Sequence, residues 1–174
     1  MLVVGIDPGS RRTGWGMVSD VSGVLRLVDC GIVRASPADS FSERLAAIYH
    51  ALSQELAKHR PDEGAIEQVF TACNAQSALK LGQARGVAVA ACAACGCPVY
   101  DYEPTVVKKA VVGVGRAEKE QVAFMVGRML NLGGKLPVDT TDALGVAICH
   151  LAQARLRRMT AWSGMANKYS RGNV

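Results

Sequence analysis

The apolar run Leu2-Val3-Val4-Gly5-Ile6 ends on a carboxylate, Asp7, and Pro8-Gly9-Ser10 then turns the chain. A strand this apolar is built to be buried, and an ionised acid at its end is costly unless something compensates it. The same conflict recurs in Gly64-Ala65-Ile66-Glu67-Gln68-Val69-Phe70, where Glu67 interrupts a second strand pattern. Asp139 and Asp142 stand three apart at the start of a late helical segment, so both project from one face. If these elements converge, four carboxylates share one place. Their mutual repulsion raises their pKa values unless cations enter. Mg²⁺ or Mn²⁺ suits such an all-oxygen site. Two ions about 4 Å apart can activate water and stabilise a leaving oxygen in phosphodiester hydrolysis. Each acid also has a purely structural explanation: turn chemistry for Asp7, a solvated strand face for Glu67, helix capping and dipole compensation for Asp139 and Asp142.

The order of elements limits the fold. Gly14-Trp15-Gly16-Met17-Val18 and Val24 to Val33 follow the first strand at hairpin spacing, which predicts three antiparallel strands. Phe41, Leu45, Ile48, Leu52 and Leu56 recur at helical steps, with Ser40 and Glu43 as a capping box. The Glu67 strand, a long helix over about 75–94, a strand at 98–102 and two helices near 105–111 and 117–131 come next. A final helix is expected from about Asp139 to Arg157. Strands alternating with helices favour parallel pairing, hence an α/β sheet. From Gly86 onward the long helix is apolar all round, which predicts burial or packing against a second copy.

At 174 residues the chain fits one domain. No apolar run reaches the length of a membrane span. The first residues lack the basic flank and cleavage site of a signal peptide, so a cytoplasmic protein is expected. Residues 1–150 are formally neutral, and the net charge of +5 comes from Arg155, Arg157, Arg158, Lys168 and Arg171. Residues 158–174 therefore read as a basic, poorly ordered tail suited to a polyanion, after a domain spanning 1–157. Cys92, Cys95 and Cys97 lack a second ligand pair for zinc and read as small core thiols. His50, His59 and His150 read as structural.

Longer motifs add a resemblance. Gly5-Ile6-Asp7-Pro8-Gly9-Ser10 with Thr13-Gly14 resembles the first motif of the RuvC family of Holliday-junction resolvases. Ala65 to Phe70, Asn74 and Ser77 to Val87 resemble its second block, Val107 to Lys119 its third, and Asp139-Thr140-Thr141-Asp142-Ala143-Leu144 its final acid pair. Trp15 stands where the family pattern leads one to expect tyrosine. The resemblance implies a ribonuclease-H-like mixed five-stranded sheet, three antiparallel strands then two parallel, flanked by helices. It implies a homodimeric Mg²⁺-dependent endonuclease, with Mn²⁺ as a substitute, that nicks two strands of a four-way DNA junction symmetrically. Two ions per site would leave 5′-phosphate and 3′-hydroxyl ends. Asp7, Glu67, Asp139 and Asp142 match the metal-binding acids, and Lys108 and Lys119 match lysines near the scissile phosphate. Phe70 matches an aromatic that stacks on unpaired bases; Lys80, Arg85, Lys109 and Arg116 fall within the matching blocks as DNA contacts. Branch-migration partners of the RuvAB type are implied as well. The competing readings are a kinase-like ATPase, which needs a second lobe, a non-catalytic junction binder, and another ribonuclease-H-like nuclease acting on RNA–DNA hybrid or precursor RNA.

Overall fold

A computed structural model of the protein describes residues 1–68, 74–134 and 138–170, with side chains as far as Met159. The element order is β1 (Leu2–Asp7), β2 (Arg12–Val21), β3 (Val24–Arg34), α1 (Phe41–His59), β4 (Glu63–Glu67), α2 (Ala75–Ala94), β5 (Val99–Tyr102), α3 (Pro104–Val112), α4 (Lys119–Met129) and α5 (Val138–Ser170). The strands form one sheet in the order β3-β2-β1-β4-β5. β1 and β2, and β2 and β3, pair antiparallel; β4 joins β1, and β5 joins β4, in parallel. This is the mixed sheet expected from the sequence. Both parallel connections need a helix to carry the chain back, and α1 and α2 supply it.

Side-chain alternation divides the core between the two faces of the sheet. Val3 and Ala65 point to one face, where Leu144, Ala147, Ile148 and Leu151 of α5 cover them and α3 and α4 pack outside. Val4, Ile6, Met17 and Ile66 point to the other, against Ile48, Leu52 and Leu56 of α1 and Ala84, Ala88 and Ala91 of α2. The predicted capping box is formed: Ser40 Oγ accepts from the Glu43 amide at 3.3 Å, and Glu43 Oε2 accepts from the Ser40 amide at 2.7 Å.

Two glycines let α5 lie against the sheet. A methyl at Gly5 would stand 1.9 Å from the Ala143 carbonyl oxygen, and one at Gly14 would stand 2.0 Å from the Asp139 carbonyl oxygen. No side chain fits either place. The close approach sets the height of the first turn of α5, and so of both its acids, above β1 and β2.

Several details depart from the sequence reading. α5 does not stop near Arg157 but continues to Ser170. Two of its basic residues lie against the domain: the Arg157 guanidinium is 5.3 Å from the Tyr100 ring centre, and Arg158 approaches the Met1 sulfur at 2.8 Å. Cation–π stacking holds charge that the sequence alone leaves in solvent. Cys92 and Cys97 are buried as expected, but Cys95 is exposed because it forms the C-cap of α2. α2 buries only Ala84, Ala88, Ala91 and Cys92; Gly86, Ala90, Ala93 and Ala94 on its other faces are exposed.

His150 is fully buried, with Nε2 2.5 Å from Glu63 Oε2 and Nδ1 2.8 Å from the Tyr102 hydroxyl. Both ring nitrogens are satisfied, in keeping with a structural role. No helix among the described residues is long and apolar enough to cross a membrane.

Candidate active site

Register brings the acids together. Asp7 closes β1 opposite Gly14 of β2, and Ile6 pairs with Ile66, so Glu67 lies beside Asp7 on the neighbouring strand. Asp7 and Glu67 share the strand parity of Val3 and Ala65, which places both on the α5 side of the sheet. Asp139 passes over Gly14, with its Cβ 3.4 Å from where a Gly14 methyl would be. One helical turn later comes Asp142, whose Oδ2 accepts from Lys119 Nζ at 3.2 Å.

Electrostatics records the same convergence. Burial, and then the charges of Glu67, Asp142 and Asp139, push the Asp7 carboxyl up to about 7, against the pull of Lys119. Burial and Asp142 likewise raise Glu67, while Lys119 and Lys108 lower it. Lys119 is itself raised, chiefly by Asp142, with Asp7 and Glu67 adding to the effect. The sheet therefore holds partly buried carboxylates that water and two ammonium groups do not fully neutralise.

Other predicted residues have varied surroundings. Lys108 of α3 sits close enough to act on Glu67. Lys109 and Arg116 are exposed, and Lys80 is half-buried on α2. Arg85 is engaged by the Asp101 carboxylate of β5. Phe70 lies outside the described residues. Sequence reading missed Arg12, whose Nη1 is 3.5 Å from Asp139 Oδ2. Its signal was its place two residues before Gly14, on the strand that faces Asp7.

A separate group, Asp29, Glu55 and His59, brings potential ligand atoms within 4.8 Å of one another. Lys58 Nζ is already 3.0 Å from Asp29 Oδ2 and 3.5 Å from Glu55 Oε2. This group is an ion-pair cluster tying α1 to β3, distinct from the acids at the end of β1.

The donor set around Asp7 fits divalent metal. It offers hard carboxylate oxygens, at least two of them raised by burial and crowding, a penalty that a cation removes. A β3-β2-β1-β4-β5 sheet with acids on its two central parallel strands, and two more in a helix laid across them, defines a ribonuclease-H-like nuclease.

Comparison makes the assignment narrower. The sequence model of the family described as "Crossover junction endodeoxyribonuclease RuvC" matches residues 3–150. A crossover junction endodeoxyribonuclease RuvC from Oleidesulfovibrio alaskensis is 65% identical over 159 residues, covering 91% of this chain and 95% of that protein. The structure of T. thermophilus RuvC in complex with a Holliday junction substrate superposes with a TM-score of 0.85 at 37% identity, covering 90% of this chain and 96% of that one. The yeast mitochondrial Holliday junction resolvase Ydc2 shares the fold, with a TM-score of 0.68 at 13% identity over 94% of this chain and 85% of that one. The chain belongs to the RuvC family of crossover junction endodeoxyribonucleases. It is a phosphodiester hydrolase of recombination and repair, of a family that uses divalent metal.

Proposed function

We propose that Asp7, Glu67, Asp139 and Asp142 are the catalytic, metal-holding acids of this chain. The metal is Mg²⁺, with Mn²⁺ as a substitute, as two ions per site. The substrate is a four-way DNA junction, cut by paired symmetric nicks that leave 5′-phosphate and 3′-hydroxyl ends. The observation that carries this reading is the register that sets Glu67 of β4 beside Asp7 of β1, under the first turn of α5 that carries Asp139 and Asp142; burial and Asp142 raise both sheet carboxyls. Buried like charges are expensive, and a chain that keeps them is built to hold cations. The T. thermophilus relative in complex with a Holliday junction supports the choice of substrate.

Each group has a role set by its position. Bound ions supply Lewis acidity and a water of lowered pKa. Asp7 and Glu67, on the rigid sheet, fix the metal-holding oxygens; Asp139 and Asp142 complete the set from α5. Lys119 neutralises Asp142 in the free protein and is placed to stabilise charge on a phosphate at the acids. Lys108 acts beside Glu67 from α3. Arg12 orients Asp139. Lys80, Arg85, Lys109 and Arg116 contact the DNA, and Phe70 stacks on unpaired junction bases.

Two copies of the chain suit a junction with two equivalent strands. The exposed apolar residues Leu79, Gly86, Ala90 and Ala93 of α2 form the contact between them. Residues 1–157 carry the nuclease, and the basic segment 158–174 holds DNA. The protein works in the cytoplasm with branch-migration proteins of the RuvAB type.

The test is cleavage of a mobile four-way junction in Mg²⁺, beside linear duplex and RNA–DNA hybrid, by the native protein and by Asp7→Asn. Paired nicks lost in Asp7→Asn, with junction binding kept, are the expected result. Hybrid cleavage without junction preference would move the chain to a different nuclease specificity.

A further inference from the structure

An apolar groove of about 720 Å³ opens directly beside the catalytic acids. Lys119 and Asp142 stand at its mouth, Ala123 and Gly127 of α4 form one wall, and Val138 and Thr141 of α5 form the other. Phe124 stands on its rim, 66% exposed, an unusual place for a phenylalanine. Since Lys119 and Asp142 belong both to the groove and to the acid cluster, whatever fills the groove abuts the phosphate being cut. Its volume falls in the range of small-molecule sites. The apolar floor offers nothing to a phosphate, and Glu120 on the rim repels one. A nucleobase, flat and apolar on both faces, is the part of a nucleotide that fits, with Phe124 as a stacking platform. Lys119 at the mouth and Arg128 farther along α4 flank the path of its backbone.

We propose that this groove receives a base of the cleaved strand next to the scissile phosphate, and that Phe124 stacks on it. This rests on the junction-cleaving reading above and adds to it a residue that positions the cut. The groove is separate from the α2 face assigned to the second copy.

Two substitutions probe it without disturbing the core. Phe124→Ala removes the platform from an exposed position. Gly127→Val fills the wall, where an added Cβ meets nothing within 4 Å. The assay is single-turnover cleavage of a four-way junction at saturating protein, with an intact or an abasic nucleotide beside the cut site. Native protein should lose about tenfold in rate on the abasic junction, and each variant about tenfold on the intact one. Variant and abasic junction combined should lose no more than either alone. Junction affinity, dominated by phosphate contacts, should stay within about threefold. Additive losses, unchanged variant rates, or a changed oligomeric state in Phe124→Ala would each overturn the assignment. Native protein that cuts no junction would instead overturn the functional reading on which it rests.

Discussion

Replacing Gly14 with alanine tests whether the backbone contact between β2 and α5 sets the geometry of the site. The new methyl would stand 2.0 Å from the Asp139 carbonyl oxygen, and real methyls do not approach within 3.0 Å. The first turn of α5 must therefore retreat by about 1 Å, because the obstacle is backbone and cannot rotate away. Overpacking of this kind costs about 1–3 kcal/mol. For a chain of this size that lowers Tm by roughly 2–4 °C per kcal/mol, leaving the protein folded at room temperature. The catalytic cost is larger, since a misplacement of about 1 Å can cost on the order of 100-fold in rate. The control is Gly64→Ala on the sheet strand β4. There the methyl meets only side-chain atoms, the nearest being Val99 Cγ2 at 3.3 Å, on the face of the sheet away from α5. The assay is single-turnover junction cleavage well below the thermal midpoint of each variant, with Tm measured alongside. Gly14→Ala should lose about 100-fold, and Gly64→Ala should stay within about threefold of native. A folded Gly14→Ala that cuts at the native rate, or equal losses in both variants, would refute the reasoning.

Asp7→Asn should abolish metal-dependent cleavage while raising Tm in metal-free buffer, because it removes a buried charge that Glu67 and Asp142 repel; thermal melts with and without Mg²⁺ check this. The native protein, and not the variant, should then gain most in Tm from added Mg²⁺. Lys119→Met should cut cleavage at least about tenfold in single-turnover assays at equal junction occupancy, since it removes the ammonium beside Asp142. Burial holds the His150 imidazole below its ordinary range, so the unfolded chain takes up a proton first as pH falls. That group's contribution to stability is full above about pH 6.5 and declines below it. Urea unfolding at pH 7.5 and 5.5 should show that decline in the native protein and a flatter response in His150→Gln. An equal slope in both would remove His150 as the cause.

Much of this protein was legible because its signals are short-range and contradict their surroundings. Asp7 at the end of Leu2–Ile6 and Glu67 after Ala65-Ile66 are charges where burial is demanded, and no alignment is needed to see that. The alternation of strands, the helical repeat of Ile48, Leu52 and Leu56, and the Ser40–Glu43 box each lie within a few residues and follow from backbone period alone. These led to three antiparallel strands followed by parallel pairing; that the four acids form one metal-holding set was implied by the resemblance to the RuvC family.

What only the tertiary structure decided are pairings between distant residues. Nothing local says that Lys119, not Lys109, meets Asp142 from 23 residues away, or that Arg12 reaches Asp139 across 127. Arg85 is a free cation in the sequence and an ion pair with Asp101 in the fold. His150 looks like any helical histidine until β4 and β5 bring Glu63 and Tyr102 to its two nitrogens. Gly5 and Gly14 read as ordinary strand residues, yet they carry the close contact that sets α5 above the sheet. The physical reason is the same in each case. Periodicity reports which face a residue occupies, whereas charge neutralisation and steric contact depend on which element is laid across that face.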